Sequence, residues 1–171
     1  MLKGIGKFIV ALNGNASRTQ VAAGIAWGVW LGLVPLSNFF GIVLFIVSFL
    51  FTHNHGAKIF GMALIKLLSP LIAPGVDLLG WQILHIEALQ PFYTTMFNMP
   101  FVPFTRFNNT LVAGGLVAGI VLWFPVFFAS RAFIPHYRNI IAPKIRNSKI
   151  VKHIAKSPLL KAVDIVVKKF L

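Results

Sequence analysis

Between Thr19 and Thr52 the sequence reads TQVAAGIAWGVWLGLVPLSNFFGIVLFIVSFLFT, without a single charged side chain. This stretch is too long for one ordinary membrane helix of about 20 residues and short for two such helices with a loop between them. Pro35 lies near its middle and lacks a backbone donor, so we expect a helix to end there, and Ser37 or Asn38 can cap the next one. The stretch predicts a helical hairpin with two short arms, which either spans a thinned membrane or enters and returns as a re-entrant hairpin.

The composition of the whole chain favours an integral membrane protein. The 171 residues are 57% hydrophobic and 11% charged, and the mean hydropathy is +0.82, whereas soluble domains carry about 25% charged residues. The chain has no cysteine, which excludes disulfides, zinc–thiolate sites and iron–sulfur clusters. Its acidic residues are only Asp77, Glu87 and Asp164, which gives little support to a paired-carboxylate hydrolase or a Mg²⁺ site. We therefore expect no enzymatic activity, no metal and no cofactor.

The remaining segments divide the chain into an all-α polytopic membrane domain, with two short glycine-rich hairpins, and a basic amphipathic C-terminal tail. Thr110 to Phe128 is the clearest span and is closed by Arg131. The phrase from Ser69 to Gly75 contains two prolines, and we expect it to break a helix. The expected segments are the transmembrane domain 1–134, with hairpin 19–52, broken helix 59–84, interfacial aromatic segment 85–109 and span 110–131, and the cytoplasmic tail 135–171.

The charge balance places the chain against an anionic membrane surface. Lys and Arg number 16 against 3 acidic residues, for a formal net charge of +13. Such a balance fits nucleic acid or anionic lipid, and the apolar stripe that accompanies the tail cations favours lipid, so no nucleic acid partner is expected. The lysines expected to contact lipid headgroups are Lys149, Lys152, Lys156, Lys161, Lys168 and Lys169.

The positive-inside rule puts both termini in the cytoplasm of a bacterial inner-membrane protein. Four crossings satisfy this orientation, and two remain if the first hairpin is re-entrant. The first apolar run, Phe8–Leu12, is too short for a cleavable signal.

Small residues recur at helical spacing in two segments. Gly24, Gly28 and Gly32 are four residues apart, and Gly115 and Gly119 repeat the spacing. Such faces allow helices to pack closely in lipid, either within one chain or between copies in a homo-oligomer. The two segments also match at a constant offset of 91 residues at several positions, which indicates either an inverted repeat or a shared composition.

Three blocks of this sequence resemble a known family. The first is Ser17-x-x-x-Val21-Ala22-x-Gly24-Ile25-Ala26-x-Gly28-Val29-Trp30-x-Gly32-x-x-Pro35, followed by Asn54-x-x-Ala57 and Ser69-Pro70-x-x-x-Pro74. Together they resemble the bacterial membrane family catalogued as domain of unknown function 2062. The resemblance covers roughly residues 17–84 and implies a helical membrane fold without an established activity.

Two ionisable residues are embedded in apolar sequence. Lys66 and Asp77 are eleven positions apart, so they would share one face of a continuous helix and could form an ion-pair gate, or each could reach an opposite membrane interface. The candidate substrate site at the helix breaks consists of Pro35, Lys66, Ser69, Pro70, Pro74 and Asp77.

Four further side chains are of types that bind metals, namely His53, His55, His85 and Glu87. The predicted topology puts the first two and the last two on opposite sides of the membrane, so we expect no metal site.

These features favour a small transporter or lipid-handling membrane protein with its site at the broken helices. The alternative is a non-enzymatic membrane scaffold that recruits partners through the glycine faces and the basic tail. The two hypotheses differ in which residues matter, because the first depends on Lys66 and Asp77 and the second on the tail.

Overall fold

The computed structural model describes residues 17–141, and it is helical throughout that part of the chain, with no strand. Residues 17–132 belong to one unit, and a second unit begins at Phe133, of which the structure describes 133–141. The all-α prediction is therefore confirmed for the described residues. The helices are α1 (Arg18–Leu33), α2 (Phe39–Val47), α3 (His55–Leu67), α4 (Ser69–Leu84), α5 (Gln90–Phe97) and α6 (Thr110–His136).

Short polar side chains begin three of these helices. The Ser17 hydroxyl accepts from the backbone N–H of Gln20, and Asn38 and Asn54 cap α2 and α3 in the same way, at 2.7 Å and 2.9 Å. Each oxygen satisfies a donor that the first turn of a helix leaves free. Val34 caps the end of α1 and Pro35 follows it, so the hairpin turn lies between Pro35 and Asn38, as the sequence predicts.

Helix α1 is the central helix of the first unit. Its glycine face packs on α3, with Gly24 against Asn54 and Ala57 and Gly32 against Ile65. Because both sets of residue numbers rise together, α1 and α3 run in the same direction. Trp27, Leu31, Val34 and Leu44 form a buried cluster at the centre of this unit.

Helix α6 packs on α1 and runs in the opposite direction. Gly119 lies against the Trp30 indole, and the Trp27 and Trp123 rings meet edge to face with centroids 6.4 Å apart. Gly115 and Gly119 of α6 thus pack on α1 itself, whereas the glycines of α1 pack on α3. The two glycine segments have non-equivalent partners, so this packing gives no support to an inverted repeat.

The predicted broken helix is present, with a helix on each side of the break, but the position of the break near Ser69–Gly75 requires correction. Helix α3 ends at Leu67, α4 begins at Ser69 and continues through Pro74, and the two helices meet at a bend of 84°. The bend is therefore at Leu68, and the proline phrase is helical. Pro70 occupies the first turn of α4, where its missing N–H costs nothing.

The lengths of the helices give fewer candidate membrane spans within residues 17–141 than the four that the sequence predicts. Among the described residues, Thr110–Ile140 is the one helix long and apolar enough to cross a membrane, and α3 with α4 would be a second span only if the bent pair counts as one. Helices α1 and α2 have 16 and 9 residues, about 24 Å and 14 Å, against a hydrocarbon core of about 30 Å. The predicted span 110–131 is longer than expected, because α6 continues through Pro125 to His136.

The segment 85–109, which the sequence predicts to be interfacial, has an irregular structure. It contains the short helix α5 between two 3₁₀ turns, Glu87–Leu89 and Val102–Thr105. Phe101 and Phe104 are about four-fifths exposed. Phe107 is buried and lies near the rings of Tyr93 and Phe97.

Candidate functional site

A cavity of about 140 Å³ lies where the end of α1, the bend between α3 and α4, and the start of α6 meet. Pro35, Ile65, Ile72 and other apolar residues form most of its wall. Its charged lining residue is Lys66, and Ser69 contributes a hydroxyl. The cavity exists because Pro35 ends α1 while the 84° bend turns α4 away from α3, so the three helices cannot close over one another.

The Lys66 ammonium is anchored to the end of α1. Its Nζ donates to the carbonyl oxygen of Val34 at 2.8 Å, and Val34 is the residue that follows the last turn of α1. The carbonyl groups at a helix C-terminus carry partial negative charge and lack intrahelical donors. The lysine therefore stabilises the end of α1 and at the same time places a cation in the cavity wall.

The structure brings together three of the six residues expected at the helix breaks. Pro35, Lys66 and Ser69 line the cavity, while Pro70 and Pro74 are exposed on α4 and lie outside its lining.

Asp77, the sixth of these residues, is hydrogen-bonded to the first residue of α6. Its carboxylate accepts a hydrogen bond from the Thr110 hydroxyl, and Thr110 is the first residue of α6. No ion pair joins Asp77 to Lys66. A carboxylate at a helix N-terminus is favourable because the free N–H groups there carry partial positive charge.

The glycines expected to pack helices are all at close contacts within the chain. A Cβ atom on Gly28 would overlap the Lys58 carbonyl oxygen and approach Met62 N to 2.9 Å, and one on Gly115 would lie 2.8 Å from the Leu33 carbonyl oxygen. Because α3 and α1 occupy these faces, they are not free for a scaffold partner. The tail lysines of the scaffold hypothesis, Lys149 to Lys169, lie outside the described residues.

A second glycine contact was missed from the sequence. Gly80 and Gly114 bring α4 and α6 together so closely that a Cβ atom on either would overlap a backbone carbonyl oxygen of the other helix, that of Thr110 or Val76. The available signal was the four-residue spacing of Thr110 and Gly114, which is a small-xxx-small pattern. These contacts position the first turn of α6 beside the cavity, where Leu111 is a lining residue.

A buried lysine was also missed. Lys58, expected in a polar connector, lies inside α3 and is 1% exposed. Its Nζ donates to the Ser48 hydroxyl at 2.8 Å and lies 3.7 Å from the centre of the Phe49 ring. The hydroxyl and the ring face together supply the electrostatic contacts that a desolvated ammonium needs. Lys58 belongs to the helical face of Ala57 and Gly61, both of them buried, and that pattern was the available sequence signal.

His53 is the buried group in the connector before α3. Its Nδ1 hydrogen-bonds with the carbonyl oxygen of Phe51 at 2.7 Å, and its ring lies 4.7 Å from that of His55. Burial lowers the pKa of His53, and the nearby charge of Lys58 acts in the same direction. His85 instead stacks on Trp81, and no group of three or more metal-ligating side chains converges within residues 17–141.

The chain is similar to an uncharacterised protein of Treponema pallidum (strain Nichols). The two are 32% identical over 161 residues, which is 94% of this chain and 99% of its relative. No family model matches the chain, so the resemblance to domain of unknown function 2062 stays a prediction. No solved structure matches it either.

Proposed function

This chain belongs to the same family as the Treponema pallidum protein, and we propose that it is a small integral protein of the bacterial inner membrane that binds a lipid or another small molecule in the cavity lined by Lys66. Binding there would serve transport or lipid handling, without catalysis by the protein. The cavity carries this proposal, because it combines a cation, a hydroxyl and apolar walls at a bend between helices. Polar groups at such bends in membrane proteins face protein or a cavity, and they often mark substrate sites.

The membrane assignment is supported by the outer surface of the helices. Large apolar side chains are more often exposed than buried, including Ile46 and Leu50 on the first hairpin and Leu67 and Leu71 at the bend. An apolar surface of this extent is unfavourable in water and favourable in hydrocarbon. Helix α1 contacts the N-terminal half of α6, so α1 lies at the depth of that half of the candidate span.

The proposed topology places both termini in the cytoplasm. Helix α6 would cross once, and the bent pair α3–α4 would supply the return crossing, with α3 passing through most of the bilayer and α4 turned along the outer leaflet. Arg131 would lie near the cytoplasmic end of α6. The hairpin of α1 and α2 then either crosses a thinned bilayer or returns to the side from which it entered. Its short arms favour the re-entrant form.

Photo-cross-linking in intact cells tests the site. A small aliphatic diazirine side chain at Ile72, which lines the cavity, is close to isoleucine in size and leaves the cavity open, so it should capture a restricted set of small molecules or lipids. The same group at Leu78, which is 58% exposed on α4, should capture the bulk lipids in proportion to their abundance. Equal adduct distributions at the two positions would contradict the proposal, and mass spectrometry of the extracted protein distinguishes the cases.

Cysteine labelling tests the topology, since the chain has no cysteine of its own. The positions are Ser37, His55 and Thr95, all exposed. Lys58 is avoided because its side chain is buried. An impermeant thiol reagent applied to intact cells should label Thr95→Cys and spare His55→Cys. Labelling of Ser37→Cys from outside would indicate a spanning hairpin, and labelling only in inverted vesicles a re-entrant one. If His55→Cys were labelled from outside, the proposed orientation would be wrong.

A further inference from the structure

We infer that the ligand of this cavity is an amphipathic anion, with a phosphate or carboxylate head bound by Lys66 and a hydrocarbon chain lying along the apolar lining residues Leu33, Ile65 and Ile72. This inference rests on the proposed function and adds to it the chemical class of the ligand.

The Lys66 ammonium has hydrogen-bond donors that no described residue accepts from. A lysine ammonium carries three N–H groups, and within the described residues Lys66 makes one hydrogen bond, to the Val34 carbonyl oxygen. That partner is a neutral amide group. Two donors and a full positive charge therefore remain at the cavity wall, and an anionic oxygen is the partner that a charged donor binds most strongly.

No carboxylate of residues 17–141 forms an ion pair with Lys66, and neither Asp77 nor Glu87 lines the cavity. Asp77 accepts a hydrogen bond from Thr110 at the start of α6, and Glu87 lies in the 3₁₀ turn that follows α4. A partly buried ammonium without an ion-pair partner is costly, and a bound anion would offset that cost. The cavity is therefore better suited to an anion than to a cation.

The size of the cavity and its surroundings indicate an amphipathic molecule. A volume of about 140 Å³ accommodates a small polar head and excludes a whole lipid. The lining residues Leu33, Ile65, Ile72 and Leu111 are apolar and partly exposed. A hydrocarbon chain attached to the bound head would contact these side chains as it leaves the cavity.

Lipid retention measured by native mass spectrometry tests this inference on the full chain. The protein is reconstituted in nanodiscs of phosphatidylcholine and phosphatidylglycerol and then released, and glycerol phosphate is tested separately as a soluble head without a chain. The native chain should retain one phosphatidylglycerol. Lys66→Met should reduce that retention roughly ten- to a hundredfold, as expected for the loss of a charged hydrogen bond, and Lys66→Arg should preserve most of it.

Two variants act as controls. Lys149→Met removes the same charge from the tail and should leave the retained lipid unchanged, which separates the cavity from general attraction to the basic tail. Ala73→Phe fills the cavity and should abolish retention whatever the charge of the ligand. Circular dichroism and gel filtration of each variant verify that it remains folded.

The outcomes separate the inference from the proposal on which it rests. If phosphatidylcholine is retained, is lost in Ala73→Phe and is insensitive to Lys66→Met, the cavity binds a ligand but the anion inference is wrong. If glycerol phosphate binds through Lys66 while phosphatidylglycerol does not, the ligand is a free phosphate compound and the hydrocarbon part is wrong. Retention of neither probe by the native chain overturns the inference, and the Ile72 cross-link then decides separately whether the cavity holds another ligand.

Discussion

Gly28→Ala should weaken the contact between α1 and α3, and the size of the effect follows from the geometry. A Cβ atom at this position would overlap the Lys58 carbonyl oxygen and lie 2.9 Å from Met62 N and 3.0 Å from Gly61 Cα. All three neighbours are backbone atoms, which cannot move aside as a flexible side chain can. The two helices would have to separate by roughly 0.5–1 Å, and a gap of that width forfeits about a quarter to a half of each dispersion contact across it.

The matched control is Gly75→Ala in α4. A Cβ atom on Gly75 meets nothing within 4 Å, so this variant gains the helix propensity of alanine over glycine, about 1 kcal/mol, without overpacking. Gly28→Ala gains the same propensity but adds an overpacking cost of about 1–3 kcal/mol. The difference in the free energy of unfolding between the two variants should therefore be about 1–3 kcal/mol, with Gly28→Ala the less stable.

The assay is unfolding of the purified full chain by sodium dodecyl sulfate in mixed micelles, followed by circular dichroism. The transition of Gly28→Ala should fall at a lower detergent fraction than that of Gly75→Ala. If the two transitions coincide, α1 and α3 are not in backbone contact at Gly28 and the packing argument fails.

Three further predictions concern the polar groups. Ser48→Ala removes the hydrogen-bond partner of Lys58 Nζ and should lower the free energy of unfolding by about 1–3 kcal/mol. In a Lys58→Met background the same change should cost much less, and an equal cost in both backgrounds would refute the pairing of Ser48 with Lys58. Burial lowers the pKa of His53 below its ordinary value of 6.5, so the unfolded chain binds the proton more readily than the folded chain. The free energy of unfolding should therefore keep the full contribution of His53 above pH 6.5 and fall as the pH decreases below it, and this dependence on pH should be weaker in His53→Gln. Asp77→Asn should reduce amide protection in the first turn of α6 by about 0.3–1 kcal/mol, measured by hydrogen exchange, because the charge at that helix N-terminus is lost; unchanged protection would contradict the role assigned to Asp77.

The local signals in the sequence predicted the ends of the helices well. Pro35 and Asn38 mark the turn between α1 and α2, and each acts through its own backbone or its nearest neighbours. The course of α4 was predicted wrongly. Pro70 occupies the first turn, where no intrahelical donor is needed, and Pro74 in the second turn removes only the hydrogen bond to the Pro70 carbonyl. Two prolines near the start of a helix are thus tolerated, although the same pair in its middle would interrupt it.

The contacts between distant segments were largely beyond sequence reasoning. Lys66 meets Val34, 32 positions away, and Asp77 meets Thr110, 33 positions away, so the two ionisable groups that looked like partners bind different helices. Helical periodicity reports which residues share a face of one helix, but not which helix covers that face. Lys58 shows the same limit, because its burial depends on Ser48 and Phe49 of the preceding turn.

The 84° bend determines how the first unit fills the two leaflets of a bilayer. If α3 follows the membrane normal beside α1 and α6, α4 lies almost parallel to the membrane plane, and its 16 residues extend about 24 Å sideways. Such a helix takes up lateral area in one leaflet and little in the other. Insertion of the first unit would then expand one leaflet more than the other and favour a curved bilayer over a flat one.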